Sequence, residues 1–403
     1  MDELKTWLDR RADEQVSMLQ QLVQVPSDNP PGDGVAHALR ATELLEQMGF
    51  EVEQHPVPDA ICRQYGLQKV MNLVVRHRFG SGPTVALNAH GDVVPAGGGW
   101  SKDPYGGEIE QGWLYGRGAA VSKSDFVTYA YALKALIETG ELAAGCVELH
   151  FTYDEETGGF TGPAWLLSEG ISQPDYAVCA AFSYQVITAH NGCLHLEVAI
   201  EGRSAHAAWH HTGIDAIEAS LPVLSALYRY RETLKERVSE YPGVDSPSLV
   251  IGTIEGGINT NVVPDRVSLT IDRRIIPEES PEAVEQELRA LIEAASSHSG
   301  IRLNVTQRLL AKPFTSTPVS EQLAEMFAVE AQKVLGEPVG VGAMPLYTDA
   351  RHYSEAGVPT IMYGAGPRNP LDANGHRADE RVPVQLVTNA ALVVANSLKR
   401  LLT

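Results

Sequence analysis

Residues 84–100, TVALNAHGDVVPAGGGW, hold the pattern from which the fold can be predicted. The first seven are mostly small or apolar and predict a short buried strand, and the polar triplet HGD (90–92) follows at its end. A second run of this kind, CVELHFTY at 146–153, ends in DEE (154–156). Because ligands bind beyond the carboxyl ends of parallel strands, the two polar clusters indicate the candidate functional site.

A helix and a later change of rhythm complete the predicted architecture. FVTYAYALKALIE at 126–138 has helical spacing and lies between the two strands. Strands alternating with helices predict an α/β fold with a mixed, largely parallel sheet. From about residue 187 the strands instead flank two helices, which predicts an inserted α+β unit. We therefore expect an α/β domain formed by 1–187 and 313–403, interrupted by an inserted domain at 188–312.

Composition and charge indicate which partners and which cellular location to expect. The 403 residues carry a formal net charge of −20 at pH 7 and no basic tract, so nucleic acid is not an expected partner. No run of about eighteen apolar residues occurs, so we expect no membrane span. The N-terminus lacks a secretory-signal pattern and the four cysteines form no CxxC pair, so we expect a cytoplasmic protein.

Three residues in loop contexts carry side chains that bind zinc and similar cations: His90, Glu156 and His376. A lone histidine is more often structural than a ligand. Here, however, the first two of these residues follow predicted strands at the same edge of the sheet. This context favours a site for a divalent cation with room for water.

At these residues the chain resembles the M20 metallopeptidase family, which includes acetylornithine deacetylase, succinyl-diaminopimelate desuccinylase, aminoacylase-1 and glutamate carboxypeptidases. The resemblance covers nearly the whole chain, and the order and spacing of its motifs are highly specific. The motifs are PSDNPPGDG (26–34), NAHGDVVPAGGGW (88–100), DPYGGEIEQGWLYGRGAA (103–120), YDEETGG (153–159), EGRSAHAA (201–208), INTNVVPDRVSLTIDRR (258–274), YTDAR (347–351), GVPTIMYGAGP (357–367) and GHRADERV (375–382).

The resemblance implies roles for the residues of the α/β domain. His90 would bind the first metal, with Asp92 holding its imidazole through a carboxylate. Glu155 would be the general base, which takes a proton from water and passes it to the leaving amine. Glu156 and His376 would bind the second metal.

The resemblance also implies roles for the inserted domain, which serves as a lid and dimerisation domain in this family. His206 would reach the active site of the partner subunit and stabilise the oxyanion, so we expect a homodimer. Asn261 and Arg274 would contact the substrate, with the arginine holding its carboxylate. From the residues alone, Arg274 could equally be a surface ion-pair residue.

The chain departs from the family at two acidic positions. The family motif GRGAAD ends in an aspartate that bridges two metals, and this chain has Val121 there. A second acidic residue, which completes the first metal site in relatives, aligns with Ala181. Only the Glu156 carboxylate remains between two dications, which would repel each other strongly. We therefore expect one divalent cation per subunit (zinc, manganese or cobalt), with His90 and His376 as its other ligands.

The sequence leaves the remaining ligands and the reaction open. Asp125, Ser122 or Ser183 could complete the metal site, although an acid at position 125 is also typical of the first turn of a helix. We expect a hydrolase of an amide or other C–N bond in a small carboxylate-bearing substrate. The alternatives are a two-metal deacylase with substitute ligands, a hydrolytic deaminase, and a metal-free relative that binds a ligand without turnover.

Overall fold

Fifteen strands and eleven helices occur in the residues that the computed structural model describes, which are 2–296 and 300–403. The strands are β1 Val52–Pro56, β2 Met71–Arg78, β3 Thr84–His90, β4 Ile109–Glu110, β5 Trp113–Tyr115, β6 Cys146–Thr152, β7 Tyr176–Cys179, β8 Gln185–His190, β9 Gly192–Glu201, β10 Ser248–Gly256, β11 Arg266–Ile275, β12 Arg302–Ala311, β13 Gly340–Met344, β14 Thr360–Met362 and β15 Arg381–Pro383. The helices are α1 Glu3–Asp9, α2 Ala12–Val23, α3 Val35–Gln47, α4 Asp59–Gln64, α5 Ser124–Thr139, α6 Pro163–Ser168, α7 Ala216–Thr233, α8 Pro281–Ala295, α9 Pro318–Leu335, α10 Ala350–Glu355 and α11 Val384–Leu402.

The largest sheet has eight strands in the order β1-β2-β6-β3-β7-β14-β8-β13. The central strands β6, β3, β7 and β14 pair in parallel, whereas β1, β2 and β8 pair antiparallel on either side. A separate sheet has four antiparallel strands in the order β10-β11-β9-β12. The predicted fold class, a mixed and largely parallel α/β sheet with an additional α+β unit, is confirmed.

The chain divides into two compact units. The first comprises Met1–Thr188, Ser316–Gly342 and Thr348–Thr403, and the second comprises Ala189–Thr315 and Ala343–Tyr347. The sequence pattern did not predict the return of 343–347 to the second unit.

In the first unit, the sequence pattern explains the central layer. Every residue of β6 is buried, as expected for a parallel strand covered on both faces. Helix α5 ends at Gly140, whose φ of 67° suits glycine at the end of a helix. Helix α9 begins with a capping box between Thr317 and Ser320.

In the second unit, β9 alternates between buried and partly exposed residues, which is typical of an antiparallel strand with one covered face. Helices α7 and α8 pack on that face around an apolar cluster that includes Leu196, Val198, Leu227 and Leu288. The opposite face carries polar side chains from β9 and β11.

Two further observations bear on the class of protein. The four cysteines are buried, and none of them is in a disulfide. Among the helices that the structure describes, none combines the length and the apolar character needed to cross a bilayer. A cytoplasmic location stays a prediction.

Candidate metal centre

Two neighbouring parallel strands bring the predicted ligands together. His90 is the last residue of β3, and its register partner on β6 is Thr152. The backbone N–H of Gly91 donates to the carbonyl of Thr152 over 2.8 Å, so the two chains leave the sheet side by side. Glu155 and Glu156 follow in a short 3₁₀ turn.

The side chains of these residues converge. One ligand atom from each of His90, Glu155 and Glu156 lies within 4.8 Å of the others. His90 Nε2 is 3.8 Å from Glu155 Oε2, and the Glu155 side chain is only 11 % exposed. His376, from the loop before β15, places its Nε2 3.1 Å from Glu156 Oε1. The predicted ligands therefore form one connected group, with Glu156 in contact with His376.

Asp92 contacts this group through both its carboxylate and its backbone. Its carboxylate accepts from the backbone N–H groups of Glu155 (3.2 Å) and Glu156 (3.1 Å) and from the Asn29 side chain (2.9 Å). The hydrogen-bond partner of His90 Nδ1 is the backbone carbonyl of Asp92, at 2.9 Å, while the nearer carboxylate oxygen is 3.4 Å away. Asp92 thus positions the turn that carries the two glutamates and orients the imidazole through its backbone.

Several acids lie close together in this group, and they shift the pKa values of Glu155 and His90. Burial raises the pKa of Glu155 to about 8; a charged His90 opposes this shift, and Glu156 and Asp92 add to it. Burial alone would lower the pKa of His90, but the carboxylates of Glu155, Asp92 and Glu156 hold it well above the usual value. The group therefore has an excess of negative charge that favours a cation.

The residues fit a divalent cation. Glu156 Oε1 is buried and lies 3.1 Å from His376 Nε2, and this carboxylate raises the pKa of His376. An acceptor buried in this way is costly unless something positive meets it. Imidazole nitrogens and carboxylate oxygens are the donors that zinc and similar ions prefer.

Val121, at the position of the missing bridging acid, lies beside the same group. A Cβ on Gly375, the neighbour of His376, would be 3.3 Å from the Val121 methyl group Cγ2. The backbone N–H of Val121 donates to Glu380 over 3.1 Å, and Glu380 is also paired with the buried Arg117 at 2.7 Å. The backbone of this loop is thus held by Glu380, and the isopropyl group of Val121 lies beside Gly375.

Sequence reasoning missed part of the acidic surroundings. Asp154 and Asp349 are buried next to the group; burial raises the pKa of Asp154 to about 7 and that of Asp349 well above its usual value, and the charge of Asp92 adds to both shifts. The carbonyl of Gly158, in the glutamate loop, accepts from Arg351 and lies 2.8 Å from His352 Nε2. The signal was present, since 349 and 351 lie in the motif YTDAR, but no role had been derived for them.

The other predicted site residues lie in the second unit. His206 is exposed and its Nδ1 accepts from the backbone N–H of Ala208 at 3.1 Å. Asn261 is exposed and its backbone carbonyl accepts from the backbone N–H of Ala207 at 2.9 Å, so its backbone lies beside the residue that follows His206. Arg274 makes a bidentate pair with Asp272, at 3.0 and 3.1 Å.

Comparison with known proteins gives one consistent result. The model of the peptidase family M20/M25/M40 matches residues 86–400. The chain is 25 % identical over 401 residues to succinyl-diaminopimelate desuccinylase of Thioalkalivibrio sulfidiphilus, covering 96 % of this chain and 98 % of that one. It is 29 % identical over 325 residues to aminoacylase-1 of Sus scrofa, covering 75 % and 77 %.

Solved structures agree on the fold. The di-peptidase Dug1p from Saccharomyces cerevisiae gives a TM-score of 0.80 at 16 % identity, over 98 % of this chain and 97 % of that one. The YXEP protein of Bacillus subtilis, a dinuclear metal binding peptidase, gives 0.68 at 16 % identity, over 98 % and 99 %.

Proposed function

This chain belongs to peptidase family M20/M25/M40 and is a hydrolase acting on C–N bonds, and we propose that it is an N-acyl amino acid deacylase with one divalent cation per subunit. The observation that carries the proposal is the convergence of His90, Glu155 and Glu156 within 4.8 Å, with His376 Nε2 3.1 Å from Glu156 Oε1. His376 completes the proposed ligand set. The substrate class follows the names of the desuccinylase and aminoacylase relatives.

Each residue of the group has a distinct part in the proposed reaction. A divalent cation held by His90, Glu156 and His376 would polarise the amide oxygen and make water easier to deprotonate. Glu155 takes the proton from the attacking water and gives it to the leaving amine. Burial and the neighbouring acids raise the pKa of Glu155 to about 8 without a metal, and a bound cation would favour the ionised form, which is the base.

The charge count supports one cation. Two dications a few ångströms apart need several carboxylates between them, and this chain has Val121 at the position where its relatives place a bridging acid. YXEP, by contrast, binds two metals. In this chain, one cation keeps the ligand set of two histidines and one carboxylate, with positions left for water and substrate.

Substrate recognition is assigned to the second unit. We propose that Arg274 binds the substrate carboxylate, with Asn261 nearby and His206 stabilising the oxyanion in the partner subunit. Asp272 already holds Nε and Nη2 of Arg274, which orients the guanidinium, and no hydrogen bond to its Nη1 occurs within the described part of the chain. An acidic protein needs such a local cation to retain an anion.

A homodimer through the second unit is part of the proposal. Strand β10 is at the edge of its sheet, and its Val250 and Ile254 are 55 % and 56 % exposed. Leu221 and Tyr228 on α7 are 55 % and 45 % exposed. Apolar side chains at an open sheet edge are typical of an interaction surface. Light scattering should give twice the chain mass, and a stable, fully active monomer would contradict the dimer.

The test of the function is a hydrolysis assay on purified protein. The metal is removed from the protein with a chelator, and zinc, manganese or cobalt is added back. The protein is then incubated with N-acetyl and N-succinyl amino acids, and with the matching amides that lack the free carboxylate. We expect metal-dependent release of the amine from the substrates that carry a free carboxylate, and none from the amides that lack it. Metal binding without any hydrolysis would favour a ligand-binding relative, and release of ammonia would identify a deaminase.

A further inference from the structure

A thiol, an imidazole and a carboxylate meet on the sheet of the second unit, on the face opposite helices α7 and α8. Cys193 and His195 lie two positions apart on β9, so both belong to the same face of the strand. His195 is the direct register partner of Asp272 on β11. One ligand atom from each of these three residues lies within 4.8 Å of the others. Paired strands, and not loops, therefore hold the cluster together.

The contacts within the cluster are those of a site that still carries its protons. Cys193 Sγ is 3.7 Å from Asp272 Oδ1, and His195 Nε2 is 3.2 Å from Asp272 Oδ2. A thiol is a weak hydrogen-bond donor, whereas a thiolate is a strong ligand for zinc. Loss of the thiol proton, with the imidazole proton on Nδ1, would leave a sulfur, a nitrogen and an oxygen facing one another. This is a donor set that suits a thiophilic cation.

The surroundings of the cluster meet two further requirements of a metal site. The carboxylate ligand is itself held, because Nε and Nη2 of Arg274 donate to Asp272 over 3.0 and 3.1 Å. The site is also open on one side. Cys193 is buried, but the side chains of His195 and Asp272 are 38 % and 29 % exposed, so an ion and its water can approach.

Charge decides how strongly such a site can bind. Burial raises the pKa of Asp272, but His195 and Arg274 reverse this shift and hold it at about 2, so the carboxylate is ionised at neutral pH. A thiolate at Cys193 and this carboxylate together would neutralise a dication. Arg274 attracts the thiolate but repels the cation itself. The ion is therefore expected to bind more weakly here than at the group around His90.

A purely structural role explains the cluster less completely. Two N–H groups of Arg274 already satisfy the Asp272 carboxylate. Farther along β9, Glu197 shows an ordinary structural acid of this sheet, which accepts from Ser268 over 3.1 Å and pairs with Arg308. Holding a carboxylate in this sheet thus requires neither a thiol nor an imidazole, and both are present at Asp272.

We propose that Cys193, His195 and Asp272 form a second, weaker site for zinc or another thiophilic divalent cation, with a fourth position open to water. The thiol proton is released to solvent when the ion binds, so the affinity rises with pH. This site goes beyond the proposed function, because it uses none of the residues assigned to the catalytic cation. It fills only when metal is added in excess, and the ion in it is not needed for hydrolysis.

Cobalt is the probe that separates the two sites. Cobalt bound by a thiolate absorbs in the near ultraviolet through charge transfer from sulfur, and no sulfur is present in the group around His90. Metal-free protein, kept reduced with a phosphine, is titrated with cobalt while absorbance and hydrolysis are followed. We expect activity to reach its plateau first and the sulfur band to grow only with further cobalt. A band that grows in parallel with activity would place the sulfur at the catalytic cation and overturn the proposal.

Cys193→Ser is the decisive variant, and Cys146→Ser, which removes another buried cysteine, is its matched control. Cys193→Ser should lose the band and Cys146→Ser should keep it. His195→Ala changes a partly exposed side chain and tests the site even if Cys193→Ser does not fold. Its cobalt Kd should rise by more than the about 10- to 100-fold that the loss of an outer contact of a metal site costs.

Three results would overturn the proposal. They are the absence of a sulfur band in the unmodified protein at excess cobalt, a band that survives in Cys193→Ser, and an unchanged cobalt Kd in His195→Ala. Loss of the band in Cys146→Ser alone would place the sulfur ligand in the first unit and would also contradict it.

Discussion

Glu148 and Glu155 lie seven positions apart, one inside β6 and one just beyond it, and their side chains are 7 % and 11 % exposed. Burial raises both pKa values. For Glu148, hydrogen bonds from His150 (3.0 Å) and Ser172 (2.5 Å) and the charge of Arg76 reverse the shift and hold the pKa at about 2. For Glu155, the neighbouring acids leave it at about 8.

The difference shows how a buried acid for stability is distinguished from one for chemistry. The carboxylate of Glu148 has donors on both oxygens, whereas no hydrogen bond reaches that of Glu155 in the described residues. The first acid stabilises the folded chain by itself. The carboxylate of Glu155 lies where a proton, a cation or a substrate can meet it in place of a hydrogen bond from the protein.

The largest effect is expected for Glu155→Gln. The amide keeps the shape of the side chain but cannot accept the proton, so kcat should fall about 10²- to 10⁴-fold with the zinc Kd nearly unchanged. Steady-state kinetics and metal titration measure the two quantities. Glu156→Gln is the matched control, since its main effect should be to raise the zinc Kd. A Glu155→Gln enzyme with full activity would remove the general base from the account.

Glu148→Gln should act on stability instead. The folded pKa of about 2 lies below the ordinary glutamate value of 4.5, so the ionised form contributes stability above pH 4.5 that is lost as the pH falls toward 2. The shift corresponds to about 3 kcal/mol at pH 7, as an order of magnitude. Urea unfolding should show that the free energy of unfolding of the unmodified protein exceeds that of Glu148→Gln by less at pH 4 than at pH 7. This difference is the gap that the control below addresses.

Glu53→Gln is the control for this measurement, because Glu53 pairs with the same Arg76 but is 40 % exposed. Its effect should stay within about 1 kcal/mol. A gap for Glu148→Gln that is the same at both pH values would show that shape, and not charge, is responsible.

Apart from the Glu53 control, the smallest of these effects concerns the second unit. Arg274→Ala should raise KM about 10- to 100-fold, the cost of a charge-assisted contact of about 1.5–3 kcal/mol, with a smaller change in kcat. Arg274→Lys keeps the charge without the bidentate geometry, so its KM should lie between those of the unmodified protein and Arg274→Ala. Equal turnover of substrates with and without a carboxylate, together with an unaffected Arg274→Ala variant, would contradict the assignment.

The sequence predicts the fold well because its signals are local. Strand ends at HGD and DEE, the alternation in β9 and the family motifs all lie within short segments, and the family membership is confirmed. The ligand roles and the dimer stay predictions, although the structure brings His90, Glu155 and Glu156 together.

The surroundings of the site could not be predicted in the same way. Whether Asp125 caps a helix in solvent or lies buried against the backbone of Ala365 depends on tertiary packing, which no spacing rule encodes. The same holds for Asp349, which enters the acidic group from a segment about two hundred residues away in the chain. Motif positions alone therefore do not reveal Asp125 and Asp349, whose pKa values burial raises.

The most direct test of the central claim is the number of cations per active subunit. Metal analysis of purified, active protein should saturate near one equivalent, and anomalous scattering should place the ion on His90, Glu156 and His376. Val121→Asp alone should recruit a second ion poorly, whereas Val121→Asp with Ala181→Glu should bind it markedly better. Two tightly held ions in the unmodified protein, both needed for activity, would contradict the one-cation account.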